Sequence, residues 1–243
     1  MKNLTIYAAG CFRFVISKLC TEFAEQRKSE EVPKFCVGAS GMMAHKIAAG
    51  ENAGAFLSAN KHWAEAAAKI WGSKVHAVCS NDLAILTSCE QTKTHKDALE
   101  LLTDPSVILG FTDPKLDPSG QYTFELLLPK IQANYPELYK SLKDRCFVIG
   151  KEYLELKLPA GVTLPQYLIE DHKIQAMAAY GSGVRSGHLA KGMAALTLPP
   201  VLQIATECYG VANDDVGKEF LDFCLSAKGQ EVLQKYGFLA AKE

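Results

Sequence analysis

The 243-residue sequence lacks an excess of charge of either sign. Its formal net charge is −1, so composition encodes no attraction to nucleic acid or to an anionic membrane. No apolar run approaches the roughly 18 residues that a membrane-spanning helix needs. No C-x-x-C pair occurs among the eight cysteines (Cys11, Cys20, Cys36, Cys79, Cys89, Cys146, Cys208 and Cys224), which excludes the spacing of zinc ribbons and dithiol redox motifs. H-E-x-x-H, G-x-S-x-G and G-x-x-x-x-G-K-[ST] are absent too. "GVANDDVGKEF" lacks the first glycine and the final Ser/Thr of the last pattern, and "YGSGVRSG" has the wrong spacing for a dinucleotide turn. There is no fixed-period repeat and no low-complexity tract.

What remains is an ordinary globular composition, 48% hydrophobic and 22% charged, long enough for one large domain or two lobes. "MKNLTIYAAGC" has the outline of a lipoprotein leader, with Lys2, a short apolar run and Cys11. That run covers only residues 4–9, shorter than the roughly 7–15 of a signal core, and it reads as a first strand. Apolar residues at Phe12, Val15, Ile16, Leu19 and Phe23 follow with helical spacing. "FCVGA", "GAFLSAN" and "KVHAVCSNDLAILTS" read as strands, the last long enough to cross between lobes. Residues 107–111 and "RCFVIG" are further strands, and a helix opens near Ser119 that Pro129 should end or kink. "AMAAYGSGV" reads as a strand that crosses back. "AALTLPP" and "IATECYGVA" are two more, before two helices divided near Ser226. Such alternation predicts an α/β fold, with parallel or mixed sheets covered by helices on both faces. The cysteines, several in apolar surroundings, read mostly as buried thiols acting as small hydrophobes.

In folds of this class ligands gather beyond the carboxyl ends of the strands. Five turns placed there, "AAGCF", "VGASG", "LSANKH", "DPSGQ" and "PAGVT", each set Gly, Ala or Ser at a helix start. Any one of them is an ordinary cap. Together they offer neutral N–H and O–H donors whose dipoles favour an anion without lysine or arginine.

In "LTIYAAG", "GASGMMAHKIAAG", "AFLSANKHWAE", "CSNDLAIL", "LLTDPSVILGFTDPKLDPSGQYTFELL", "AYGSG" and "FCLSAKGQEVLQKYGF" the chain resembles the periplasmic molybdate-binding proteins of ABC transporters. The resemblance covers nearly the whole sequence in order and spacing. It implies a two-lobed periplasmic-binding-protein fold of type II, with mixed sheets and a two-strand hinge. Lobe one is residues 1–83 and 183–243, lobe two 84–182, and the ligand cleft lies between them. It further implies a small oxyanion ligand, molybdate or tungstate, whose metal arrives as cargo without direct protein–metal bonds. No cofactor is implied. The resemblance also implies a membrane permease as partner, action as a monomer, and a periplasmic or extracellular location with the leader removed.

The same resemblance implies ligand contacts at Cys11, Ser40, Ala59, Asn60, Ser119, Val162 and Tyr180. Cys11 stands where the family has a serine, which replaces a hydroxyl by a weaker and bulkier donor. Gly54 stands where the family has an acid. Arg13 reads as a solvated helix position. Two other function classes compete. One is an enzyme with Cys11 as nucleophile at a helix start and His45 or His62 as base. The other is the ligand-sensing module of a regulator.

Overall fold

The computed structural model describes residues 4–241. Among these described residues nine strands run in chain order: β1 (Thr5–Ala9), β2 (Lys34–Gly38), β3 (Ala55–Ser58), β4 (His76–Ser88), β5 (Leu109–Thr112), β6 (Cys146–Ile149), β7 (Ala176–Tyr180), β8 (Met193–Leu196) and β9 (Ala205–Ala212). Residues 5–9 thus form the expected first strand, whereas Lys2, on which the leader reading drew, lies outside the described residues. The chain divides into two compact units. One holds the chain up to Asn81 and from Thr206 onward, the other Asp82–Ala205.

In the first unit the strand order is β2-β1-β3-β9. β1 pairs in parallel with β2 and β3, and β9 runs antiparallel to β3. Every residue of β3 is buried, as expected of a strand covered on both faces. On one face Tyr7 and Phe56 pack with Met43, Ile47 and Ala67 from the helices Ser40–Ala48 and Lys61–Trp71. A second layer is aromatic. Phe23 of the helix Ile16–Gln26 meets Phe220 and Phe223 of the helix Asp215–Leu225, with ring centroids 5.4 Å and 5.9 Å away. Phe12 stacks on Phe238 at 5.0 Å. The predicted apolar positions are all buried, but the helix starts at Ile16, and Phe12 and Val15 lie in the turn ahead of it. Gly54 has a steric and electrostatic reason: a side chain there would run into Leu4 and the Asp214 carboxylate. That carboxylate caps the next helix by accepting the Gly217 N–H at 2.7 Å, so a second acid at position 54 would be repelled.

In the second unit the order is β8-β4-β7-β5-β6. β5 is parallel to β6 and β7, while β7 and β8 are antiparallel to β4. Leu83, Ile85, Leu101, Leu109, Phe111 and Ile131 belong to its larger core cluster. Ile149, Leu168, Ile174, Met177 and Met193 belong to a smaller one. The predicted strand at 107–111 begins two residues later, at Leu109. The helix expected near Ser119 spans Pro118–Tyr122, and Pro129 neither ends nor breaks the helical stretch beyond it. A π-helical turn at Thr123–Leu127 runs straight into the helix Leu128–Asn134 that holds the proline, and this widened turn is where the helical hydrogen-bond ladder shifts just ahead of the missing N–H.

The second crossing falls elsewhere than expected. β7 sits inside the second unit's sheet, bonded to β5 on one side and β4 on the other. β8 then pairs with residues 85–88 of β4. Residues 183–205 therefore stay in the second unit, and the chain returns through β9, at Ala205–Thr206 instead of near residue 183. Among the described residues no helix is long and apolar enough to cross a membrane.

Candidate functional site

Register sets the geometry of the first unit's edge. Ala9 lies opposite Gly38, and Ala8 opposite Leu57, so three adjacent parallel strands end nearly level. Beyond them start a 3-10 turn at Gly10–Phe12, the helix Ser40–Ala48 and the helix Lys61–Trp71. Ser40 is the first residue of its helix and is fully buried. Its Oγ accepts the Ala59 N–H at 3.1 Å, leaving the hydroxyl proton as a donor. Asn60 caps the third element: its Oδ1 accepts the Trp63 N–H at 3.1 Å, and Ser58 Oγ donates to its carbonyl at 2.8 Å. Neither helix carries an acid in its first turn, so the positive end of each dipole is unopposed within that turn. Cys11 lies in the 3-10 turn with its Sγ 4.0 Å from Cys208 Sγ of β9. Arg13 is exposed, as read from sequence.

The second unit treats its residues differently. The Ser119 N–H and Oγ–H both donate to Asp117 Oδ1, at 2.8 Å and 2.6 Å, and Thr112 Oγ1 lies 3.0 Å from Ser119 Oγ. Asp117 caps the helix Pro118–Tyr122. Burial of its carboxyl raises its pKa above the ordinary carboxylate value, against the lowering effect of hydrogen bonds from Ser119 and Thr112, although the residue as a whole keeps some exposed surface. Gly120 lets this helix lie directly on the Thr112 carbonyl, where a Cβ would collide with backbone. The Val162 N–H closes a turn onto the Pro159 carbonyl at 3.1 Å. Tyr180 ends β7, opposite Leu83, and is the N-cap residue of the helix Gly181–Arg185. Arg185 Nη1 donates to both oxygens of Asp82, at 2.7 Å and 2.8 Å, tying that helix to β4.

The seven predicted residues thus fall as Cys11, Ser40, Ala59 and Asn60 in one unit and Ser119, Val162 and Tyr180 in the other. Ser40 and Ala59 meet directly. Asp117, Thr112 and Cys208 were not singled out from sequence. The first has a readable signal, an Asp directly ahead of Pro-Ser-Gly at a helix start. For the enzyme alternative, the rings of His45 and His62 pack edge-on against Trp63, with centroids 5.4 Å and 4.8 Å away, while the Cys11 sulfur faces another thiol.

Known proteins resemble the chain along its length. An uncharacterized Pasteurella multocida (strain Pm70) protein is 26% identical over 243 residues, covering 98% of this chain and 99% of the relative. The Azotobacter vinelandii periplasmic molybdate-binding protein superposes with a TM-score of 0.74 at 13% identity, covering 98% of this chain and 100% of that one. The Mycobacterium tuberculosis H37Rv sulfate-binding protein SubI also reaches 0.74, at 14% identity, with 97% and 85% covered. These two structures share the fold, that of type II periplasmic binding proteins. A family model matches residues 4–239, and by that match the chain belongs to the bacterial extracellular solute-binding proteins.

Proposed function

We propose that this chain is the solute-binding component of an ABC transporter, and that its solute is a small oxyanion, molybdate or tungstate. One observation carries the reading: three level strand ends put the Gly10–Phe12 turn, the buried Ser40 and the Ala59–Asn60 turn on one edge, each at a helical start free of acidic residues. Backbone and hydroxyl donors held at such starts are suited to an anion. Within this proposal the Ser40 hydroxyl and the Cys11 amide are donors to the anion, the Ala59 amide orients that hydroxyl by donating to Ser40 Oγ, and Tyr180 is a further ligand contact. Asn60, Ser119 and Val162 act one step back: their groups cap a helix, bind Asp117 and close a turn. Work as a monomer outside the cytoplasm and delivery to a membrane permease belong to the same proposal.

The likeness to a sulfate-binding protein as well as a molybdate-binding one makes anion size the question to test. A thermal-shift panel of molybdate, tungstate, sulfate and phosphate answers it. A true ligand at a hundredfold over its Kd adds about 2.7 kcal/mol of stability. The expected result is a shift with molybdate and tungstate that sulfate and phosphate do not produce. Silence with all four overturns the oxyanion reading, and a shift with sulfate alone overturns the choice of metal oxyanion.

A further inference from the structure

The first unit carries a group of thiols that the oxyanion reading does not use. Cys11 Sγ lies 4.0 Å from Cys208 Sγ, between residues 197 apart in sequence. Cys79 lies on β4, the strand next to β9 in the sheet. Cys79 and Cys208 are buried at 1% and 0% exposure, whereas Cys11 is partly exposed. The geometry fits a thiol pair better than a metal centre: among the described residues no group of three or more His, Cys, Asp or Glu is placed to hold a metal ion.

We propose that Cys11 and Cys208 form a redox-active pair that closes to an intramolecular disulfide when it meets a small-molecule disulfide oxidant. Cys11, the member that reaches the surface, attacks the oxidant RSSR as its thiolate. This forms Cys11–S–S–R and releases one RS⁻. The Cys208 thiolate then attacks the Cys11 sulfur and displaces the second RS⁻, and the two thiol protons end on the two RSH. Two protein thiols are oxidised and one RSSR is reduced. The sulfurs must close from 4.0 Å to about 2.05 Å, a movement suited to side-chain rotation in a three-residue turn. Burial pushes the Cys79 thiol up, and Cys208 is the thiol whose sulfur lies 4.0 Å from that of Cys11, so the resolving sulfur is Cys208. Cys20 and Cys224 are shielded by burial, which raises Cys20 to about 12. This pairing does not depend on which solute binds.

The test uses the full chain, fully reduced, then equilibrated with graded ratios of oxidised to reduced glutathione. Remaining thiols are alkylated under denaturing conditions and peptides are mapped by mass spectrometry. The expected result is that, of the eight thiols of the sequence, Cys11 and Cys208 are lost together to one linked peptide pair, with full reversal by dithiothreitol; glutathione on the exposed Cys89 is resolved separately by the peptide map. Cys11→Ser, a change at a partly exposed turn, should give no linked peptide pair and keep Cys208 as a free thiol under the same treatment. Cys79→Ala should still give the Cys11–Cys208 link. A glutathione adduct that stays on Cys11, a link from Cys11 to Cys79, or no thiol loss at any ratio overturns the proposal.

Discussion

In the first unit Ser40 receives an amide proton and keeps its own to donate. In the second unit Ser119 gives both of its donors to a carboxylate. Both serines begin helices on similar sheet patterns, three parallel strands followed by an antiparallel neighbour. The difference lies one or two residues ahead of each. Ala39 precedes Ser40 and makes no side-chain cap, whereas Asp117 caps the helix of Ser119. A neutral start presents its dipole to a ligand, while an acidic start satisfies its own donors. Similar-looking turns can therefore have different uses, and the residue at the cap decides.

Substitutions can break or sharpen that contrast. The largest effect on folding is expected at Gly120→Ala, where the new methyl meets the Thr112 carbonyl. Overpacking of this kind costs about 1–3 kcal/mol, more when the obstacle is backbone, and urea unfolding would show it. Ser40→Ala removes the acceptor of the Ala59 amide and a proposed ligand donor. It should weaken oxyanion binding on the order of 10- to 100-fold by calorimetric titration. Ser119→Ala should leave affinity unchanged, because its donors already serve Asp117.

Asp117→Asn probes the charge itself. A folded-state pKa raised by burial means that this group favours the fold most below its unfolded value of about 3.9. The contribution is lost as pH rises through the folded pKa. The variant should therefore gain on the wild type as pH rises from about 4, with the gain levelling off above the folded pKa, in denaturant midpoints measured across that range. Asn60→Ala should cost about 1 kcal/mol, the ordinary value of an N-cap, as a small fall in the thermal midpoint. Severing the partly exposed Asp82–Arg185 pair by Arg185→Ala should cost least, under about 1 kcal/mol.

Much of this contrast was readable in the chain. The buried faces of the helices followed their periodicity, as at Ile16, Leu19 and Phe23, and Ser226 divides the last two helices by accepting the Gly229 N–H. The second crossing was not readable, because "AMAAYGSGV" looks the same whether β7 leaves its sheet or sits in the middle of it. Only pairing with β4 and β5 decides. The short helix Ala98–Thr103 has a local signal of its own, since Asp97 and Glu100 form a capping pair around its start. Of the proposed site, Ser40 and Ala59 stand at helix starts legible in the sequence, but the bond between them depends on two strands ending level. The Cys11–Cys208 contact is harder still, since nothing local to either residue marks the other.

The most direct measurement is a calorimetric titration with molybdate of the wild type, Ser40→Ala and Ser119→Ala side by side. Saturable binding is predicted for the wild type, retained in Ser119→Ala and lost or strongly weakened in Ser40→Ala. Equal affinity in the wild type and Ser40→Ala, or heat from none of the three, would contradict an anion held by the neutral helix start.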